Sequence, residues 1–175
     1  MKPVMYLDID DVLLDWSGPG PRAAPGARDF LLWALRNFEV RWLTYWCPDG
    51  RLGWDDARKL GKLLGVPSEM LLKIDGLNWQ SGAVAPILGV HSKLDGIAWL
   101  EHLVLGRPFV WVEDETLIVP LGYNKKLREL GLEQCWRPVN TTRNPHALIR
   151  LHRELMQEFG HGEEGAGVRS RAVGG

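Results

Sequence analysis

The chain has 175 residues, 45% hydrophobic and 25% charged, a size and balance that suit one globular domain with a single core. Its formal net charge of -1 offers no bulk attraction to nucleic acid or to a membrane surface. No run of about 18 apolar residues is present to cross a bilayer, and Cys47 and Cys135 are too few for a disulfide framework and suit a reducing, cytoplasmic setting.

Val4, Met5, Tyr6 and Leu7 form a continuously apolar run that ends in Asp8, the pattern of a strand buried on both faces of a parallel sheet. It starts without a signal-peptide core. Residues 15–26 are rich in Gly and Pro and read as a loop or small flap. Phe30, Leu31, Ala34, Leu35 and Phe38 recur at helical spacing, and residues 40–43 read as a second strand ending at Thr44. Residues 52–64 are again helical, stopped by Gly65, Val66 and Pro67. Residues 71–74 are expected to be a weak third strand, followed by a loop over residues 75–91.

Ser92 to Asp95 resembles a capping box opening a helix that continues through Val104. Phe109, Val110, Trp111 and Val112 make the clearest buried strand after the first, running into Glu113, Asp114 and Glu115. A helix over residues 123–130 and a strand over 134–139 follow. Asn144 and Pro145 then supply an N-cap and first-turn proline for a last helix reaching Phe159. Residues 160–175 are Gly-rich and polar and are expected to be a disordered tail. Most of the nine Trp, such as Trp42 and Trp111, fall in apolar runs, where core packing explains them.

Strands alternating with helices imply a parallel, doubly wound sheet, and ligands of such sheets bind beyond the carboxyl ends of the strands. Asp8, Thr44 and the pair Glu113 and Asp114 all stand at such ends, and Lys93 opens a helix. Asp8 and Asp10, two residues apart, repel each other unless a cation lies between them. A hard divalent ion with oxygen ligands removes that cost, and Mg²⁺ suits a site shared with phosphate oxygens. Glu113 or Asp114 would complete the ligand set, while Lys93 and the hydroxyl and amide of Thr44 would hold phosphoryl oxygens. Each residue alone has an ordinary reading as a cap, turn or solvated side chain. Their joint order at successive strand ends singles them out.

These motifs resemble the haloacid dehalogenase (HAD) superfamily of phosphatases and phosphotransferases. Tyr6-Leu7-Asp8-Ile9-Asp10-Asp11-Val12-Leu13 is similar to its first motif, Leu43-Thr44 to its second, Lys93 to its third and Trp111-Val112-Glu113-Asp114 to its fourth. Pro25-Gly26 is similar to its helix entry after the flap. Leu43-Thr44-Tyr45-Trp46, Leu64-Gly65-Val66-Pro67, Gly106-Arg107-Pro108 and Trp111 to Glu115 look closest to a HAD domain of multifunctional bacterial RNA-repair proteins. Two departures stand out: Asp11 where Gly or Asn is common, and Glu113 where the acidic pair usually begins with Asp.

The resemblance implies a three-layer Rossmann-like fold with a central parallel sheet and no large cap, spanning residues 1–159. It implies Asp8 as nucleophile forming an aspartyl-phosphate, with Asp10 as acid and then base. Mg²⁺ would be held by Asp8, the backbone carbonyl of Asp10, and Glu113 or Asp114, with Thr44 and Lys93 on the transferring oxygens. The gap after the first motif is too short for a helical cap, so the expected site is open to a large phosphorylated substrate. One alternative is a nucleic-acid end phosphatase with a basic groove from Arg51, Arg58, Lys59 and Lys62; a solvated helix face explains those charges equally. Another is a catalytically weakened domain that binds a phosphorylated partner. Trp79 is expected in the core, His91 on a surface loop, and Cys47 as a small buried residue rather than a second nucleophile.

Overall fold

In the computed structural model, which describes residues 2–47, 49–77, 93, 106–114 and 122–159, the first apolar run is strand β1 (Val4–Leu7), all four residues fully buried. A hairpin of two very short strands follows, β2 (Leu14–Asp15) and β3 (Arg22–Ala23). Helix α1 (Ala27–Asn37) leads into β4 (Glu39–Trp42), and α2 (Trp54–Leu64) into a one-turn helix α3 (Ser68–Leu72). Strand β5 (Phe109–Glu113), helix α4 (Tyr123–Glu129), a 3₁₀ turn at Glu133–Cys135, strand β6 (Trp136–Pro138) and helix α5 (Ala147–Phe159) complete the order among the described residues.

The four longer strands form one parallel sheet in the order β4-β1-β5-β6. Because successive strand residues face opposite ways, the sheet serves two hydrophobic layers. Met5, Leu7, Val40, Trp42, Val110 and Val112 pack with α1, α2 and α5. Val4, Tyr6, Phe109 and Trp111 pack with Leu127 of α4 and with Leu132. Each fully buried Leu, Val or Phe contributes about 1.5–3 kcal/mol, so strands apolar on both faces select the middle of the sheet. Trp111 sits there and Trp42 on the flanking strand β4, both with no exposure, as expected of core residues.

Helix α1 buries Ala27, Phe30, Leu31 and Ala34 along one stripe, and α2 buries Ala57, Leu60, Gly61 and Leu64. Gly65 closes α2 in the left-handed conformation (φ 68°), the stop its sequence announces. The last helix is capped as expected in one respect: the Asn144 side chain accepts the His146 N–H at 3.2 Å. Its regular turns begin only at Ala147. Strand β6 starts later than expected, since residues 133–135 wind into the 3₁₀ turn; beyond Pro138 the Val139 N–H still donates to Glu113 C=O at 3.0 Å.

One expectation is overturned. Residues 71–74 are not a strand; Leu71 and Leu72 close helix α3. Met and Leu carry no β-branch and are good helix formers, and Pro67 presets the entry. Pairing with the sheet edge comes slightly later, where the Trp42 N–H donates to Asp75 C=O (2.9 Å) and the Leu77 N–H to Trp42 C=O (2.8 Å). Gly76 makes this approach feasible, because a Cβ there would lie 2.9 Å from the Gly50 carbonyl oxygen. Gly76→Ala should force the backbones apart and cost about 1–3 kcal/mol, a drop of roughly 2–10 °C in Tm. An unchanged thermal melt would show that the segment is not seated this way.

The flap expected over residues 15–26 is the β2–β3 hairpin. Its anchor is Asp15, buried, which accepts the Ser17 N–H at 2.7 Å and the Arg22 Nε and Nη2 at 2.8 and 2.7 Å. The Ser17 backbone bond, with Arg22 added, pulls the Asp15 carboxyl from 3.8 down to about 2. Ionised Asp15 therefore stabilises the fold fully above 3.8, and that contribution is lost as pH falls towards 2. Asp15→Asn should melt lower than wild type at neutral pH, and the two curves should converge over this acid window. A gap independent of pH would contradict the assignment.

The loop expected at 75–91 with Trp79 and His91, the helix beyond Lys93, and the tail at 160–175 lie outside the described residues, apart from Asp75 to Leu77 and Lys93 itself, whose backbone is helical. Among the described residues no helix is long and apolar enough to cross a membrane.

Candidate active site

Register brings the site together. Leu7 pairs with Trp42 on one side and Val112 on the other. The next residues along, Asp8, Leu43 and Glu113, therefore stand at one level at the carboxyl end of the sheet, with Thr44 and Asp114 one step beyond. The Asp8 N–H donates to Val112 C=O at 3.1 Å and the Leu43 N–H to Leu7 C=O at 3.0 Å, fixing where each chain departs. Asp8, Thr44, Lys93, Glu113 and Asp114 are all buried.

One carboxylate oxygen each from Asp8, Glu113 and Asp114 lie within 4.8 Å of one another. Lys93 Nζ stands 2.7 Å from Glu113 Oε2 and 3.3 Å from Asp8 Oδ1, and 5.3 Å from the centroid of the Tyr45 ring. Burial opposes the Lys93 charge, but the carboxylates of Asp8 and Glu113 outweigh it and raise its pKa. Burial, then the nearby Asp8 charge, pushes Glu113 well above the usual carboxylate range, against the pull of Lys93.

The donor set fits a hard divalent cation. All three donors are carboxylates, and Glu113 Oε1 is buried with no hydrogen-bond partner among the described residues, the state of an oxygen awaiting a ligand. The spacing does not discriminate sharply, since Mg²⁺ takes oxygens at about 2.0–2.1 Å and Ca²⁺ at about 2.3–2.6 Å. Both members of the acidic pair reach the cluster, so the longer Glu113 is not displaced from it.

Asp10 stands apart from these three. Its Oδ1 accepts the indole N–H of Trp16 and its Oδ2 that of Trp46, each at 3.0 Å. Burial raises its pKa, the two indole bonds work the other way, and the charges of Asp8 and Asp11 add to the rise. Neither tryptophan stands out as a site residue from its motif; its place in the Gly- and Pro-rich stretch after Asp15 is the one sequence signal that flags Trp16.

The turn joining Asp8 to the hairpin accounts for one departure. Asp11 has φ 57°, the left-handed region that favours Gly and Asn. Asp is tolerated because the turn is tied down: the Thr141 N–H donates to Asp11 C=O at 2.7 Å, and Thr142 Oγ1 hydrogen-bonds Asp11 Oδ1. Thr44 closes the other side, its Oγ1 accepting the Trp46 N–H at 3.4 Å.

Cys47 is buried and its thiol is pushed up to about 12, chiefly by burial, which leaves it protonated and unreactive, as expected. Arg51, Arg58, Lys59 and Lys62 are exposed, and Arg58 and Lys59 pair with Asp55 and Asp56 on the same helix. That arrangement is a solvated face. Comparison of the chain with protein-family models, with curated proteins and with solved structures finds no match. The functional reading therefore rests on the motifs and on this geometry.

Proposed function

We propose that the chain is a divalent-cation-dependent phosphomonoesterase of the HAD type, with Asp8 as nucleophile. The observation that carries this reading is the buried convergence of Asp8, Glu113 and Asp114 with Lys93 at the carboxyl ends of adjacent parallel strands. Buried carboxylates in contact are costly for a fold, and a structural role alone gives no reason to collect three.

Asp8, Glu113 and Asp114 would hold the cation, and Mg²⁺ there would offset the charge of the phosphoryl oxygens. Asp8 attacks phosphorus in line; the bond from phosphorus to the leaving oxygen breaks as Asp10 donates its proton to that oxygen. Asp10 then takes a proton from water, whose oxygen attacks the phosphoaspartate, releasing inorganic phosphate and restoring Asp8. Lys93 and Thr44 neutralise and orient the transferring oxygens. The hairpin is the sole structure between Asp10 and α1, which agrees with an uncapped site on that side and a phosphorylated substrate of any bulk.

Hydrolysis of p-nitrophenyl phosphate with Mg²⁺ and with EDTA tests the reading. Turnover with Mg²⁺ that EDTA removes is expected. Folded protein that shows no turnover, or turnover indifferent to EDTA, overturns it.

A further inference from the structure

We propose that Trp16 and Trp46 are positioning residues that clamp the Asp10 carboxylate from two sides for proton transfer to the leaving group. The inference rests on the phosphomonoesterase reading of the same site.

An indole offers one hydrogen-bond donor and no acceptor, and both tryptophans direct that donor to Asp10, one to each oxygen at 3.0 Å. A single donor would leave the carboxylate free to turn about its Cβ–Cγ bond. Two donors on different oxygens fix its plane. A carboxylate has about four lone-pair positions, so two remain for carrying a proton and delivering it. Indoles orient the group without placing a second charge beside it.

The clamp joins separate parts of the chain. Trp16 belongs to the hairpin and Trp46 to the loop after β4, 36 residues from Asp10. The hairpin is itself fastened, since the Trp16 backbone N–H donates to Thr142 Oγ1 at 2.8 Å and Thr142 bonds Asp11. Packing does not explain Trp16, whose surface is 44% exposed. Trp46 also packs against the core, so Trp16 is the cleaner probe.

Leaving-group dependence separates positioning of the acid from general support of the fold. kcat/KM reports the step in which Asp8 displaces the leaving group. An alkoxide needs a proton to depart, whereas p-nitrophenolate leaves readily without one. Trp16→Phe, and separately Trp46→Phe, should lower the ratio of kcat/KM for ethyl phosphate to that for p-nitrophenyl phosphate by roughly 10- to 100-fold. In an Asp10→Asn background the same substitutions should leave that ratio where Asp10→Asn alone puts it. Equal losses on both esters, or a ratio that still falls without the Asp10 carboxylate, would overturn the clamp while leaving the phosphomonoesterase reading intact. Wild-type protein inactive on both esters would remove that reading and the clamp with it.

Discussion

Asp8→Asn should lower turnover by roughly 10⁴-fold or more while Tm stays near that of the wild type. Asn has the size and shape of Asp but no anionic oxygen to attack phosphorus, so the covalent route closes. Asn also removes the charge that lies 3.3 Å from Lys93 Nζ, but Glu113 still pairs with that ammonium at 2.7 Å. The Asp8 N–H bond to Val112 C=O is backbone to backbone, and every β1 rung lies before residue 8. Substitution also removes one of the acids crowding Glu113, so a destabilised variant is not expected. Acid quench of the wild type during turnover should trap a chain heavier by one phosphoryl group, and the variant should show none. A variant retaining activity within about tenfold of wild type would mean that another group attacks, and the mechanism would fail there.

What could be read from the sequence follows from how each part is determined. Strands β1 and β5 were legible because a parallel strand covered on both faces must be apolar without interruption, and few other settings demand that. Helices α1 and α2 announce themselves over three turns of periodic apolar residues. Residues 71–74 gave no such length: four residues hold too little periodicity to separate strand from helix, and the Met and Leu types around them were the better guide. The sheet edge was completed instead by residues 75–77, where backbone contact with Gly50 matters and side chains say little.

The candidate site divides along the same line. Asp8, Thr44, Glu113 and Asp114 could be found because strand ends are positions in sequence, and parallel register then sets them side by side. Lys93 needed only the capping-box-like run from Ser92 to Asp95 around it. The surroundings of Asp10 depend on loop-to-loop contacts that no local pattern encodes. Trp46 lies in a motif whose chemistry belongs to its Thr, and Trp16 in a stretch rich in turn formers. Their meeting on one carboxylate is a tertiary fact.

Lys93→Met should be the most damaging single change to stability, costing about 3–5 kcal/mol and lowering Tm by roughly 6–20 °C in cation-free buffer. Glu113 is fully buried and its Oε2 rests 2.7 Å from Lys93 Nζ, while Asp8 Oδ1 lies 3.3 Å from the same atom. Met keeps the length and apolar stem of Lys and removes the ammonium. Two adjacent buried carboxylates then lose the charge that offsets their desolvation and mutual repulsion. Adding Glu113→Gln to Lys93→Met should restore a good part of the loss, because the penalty comes from the carboxylate left behind rather than from the missing lysine. Activity should not return with stability, since the charge facing the phosphoryl oxygens is still absent. Lys93→Arg is not a mild control here: a planar guanidinium needs room that a buried ammonium does not. If Lys93→Met melted within about 2 °C of wild type, the ammonium would not be compensating these carboxylates, and the electrostatic balance assigned to the site would be wrong.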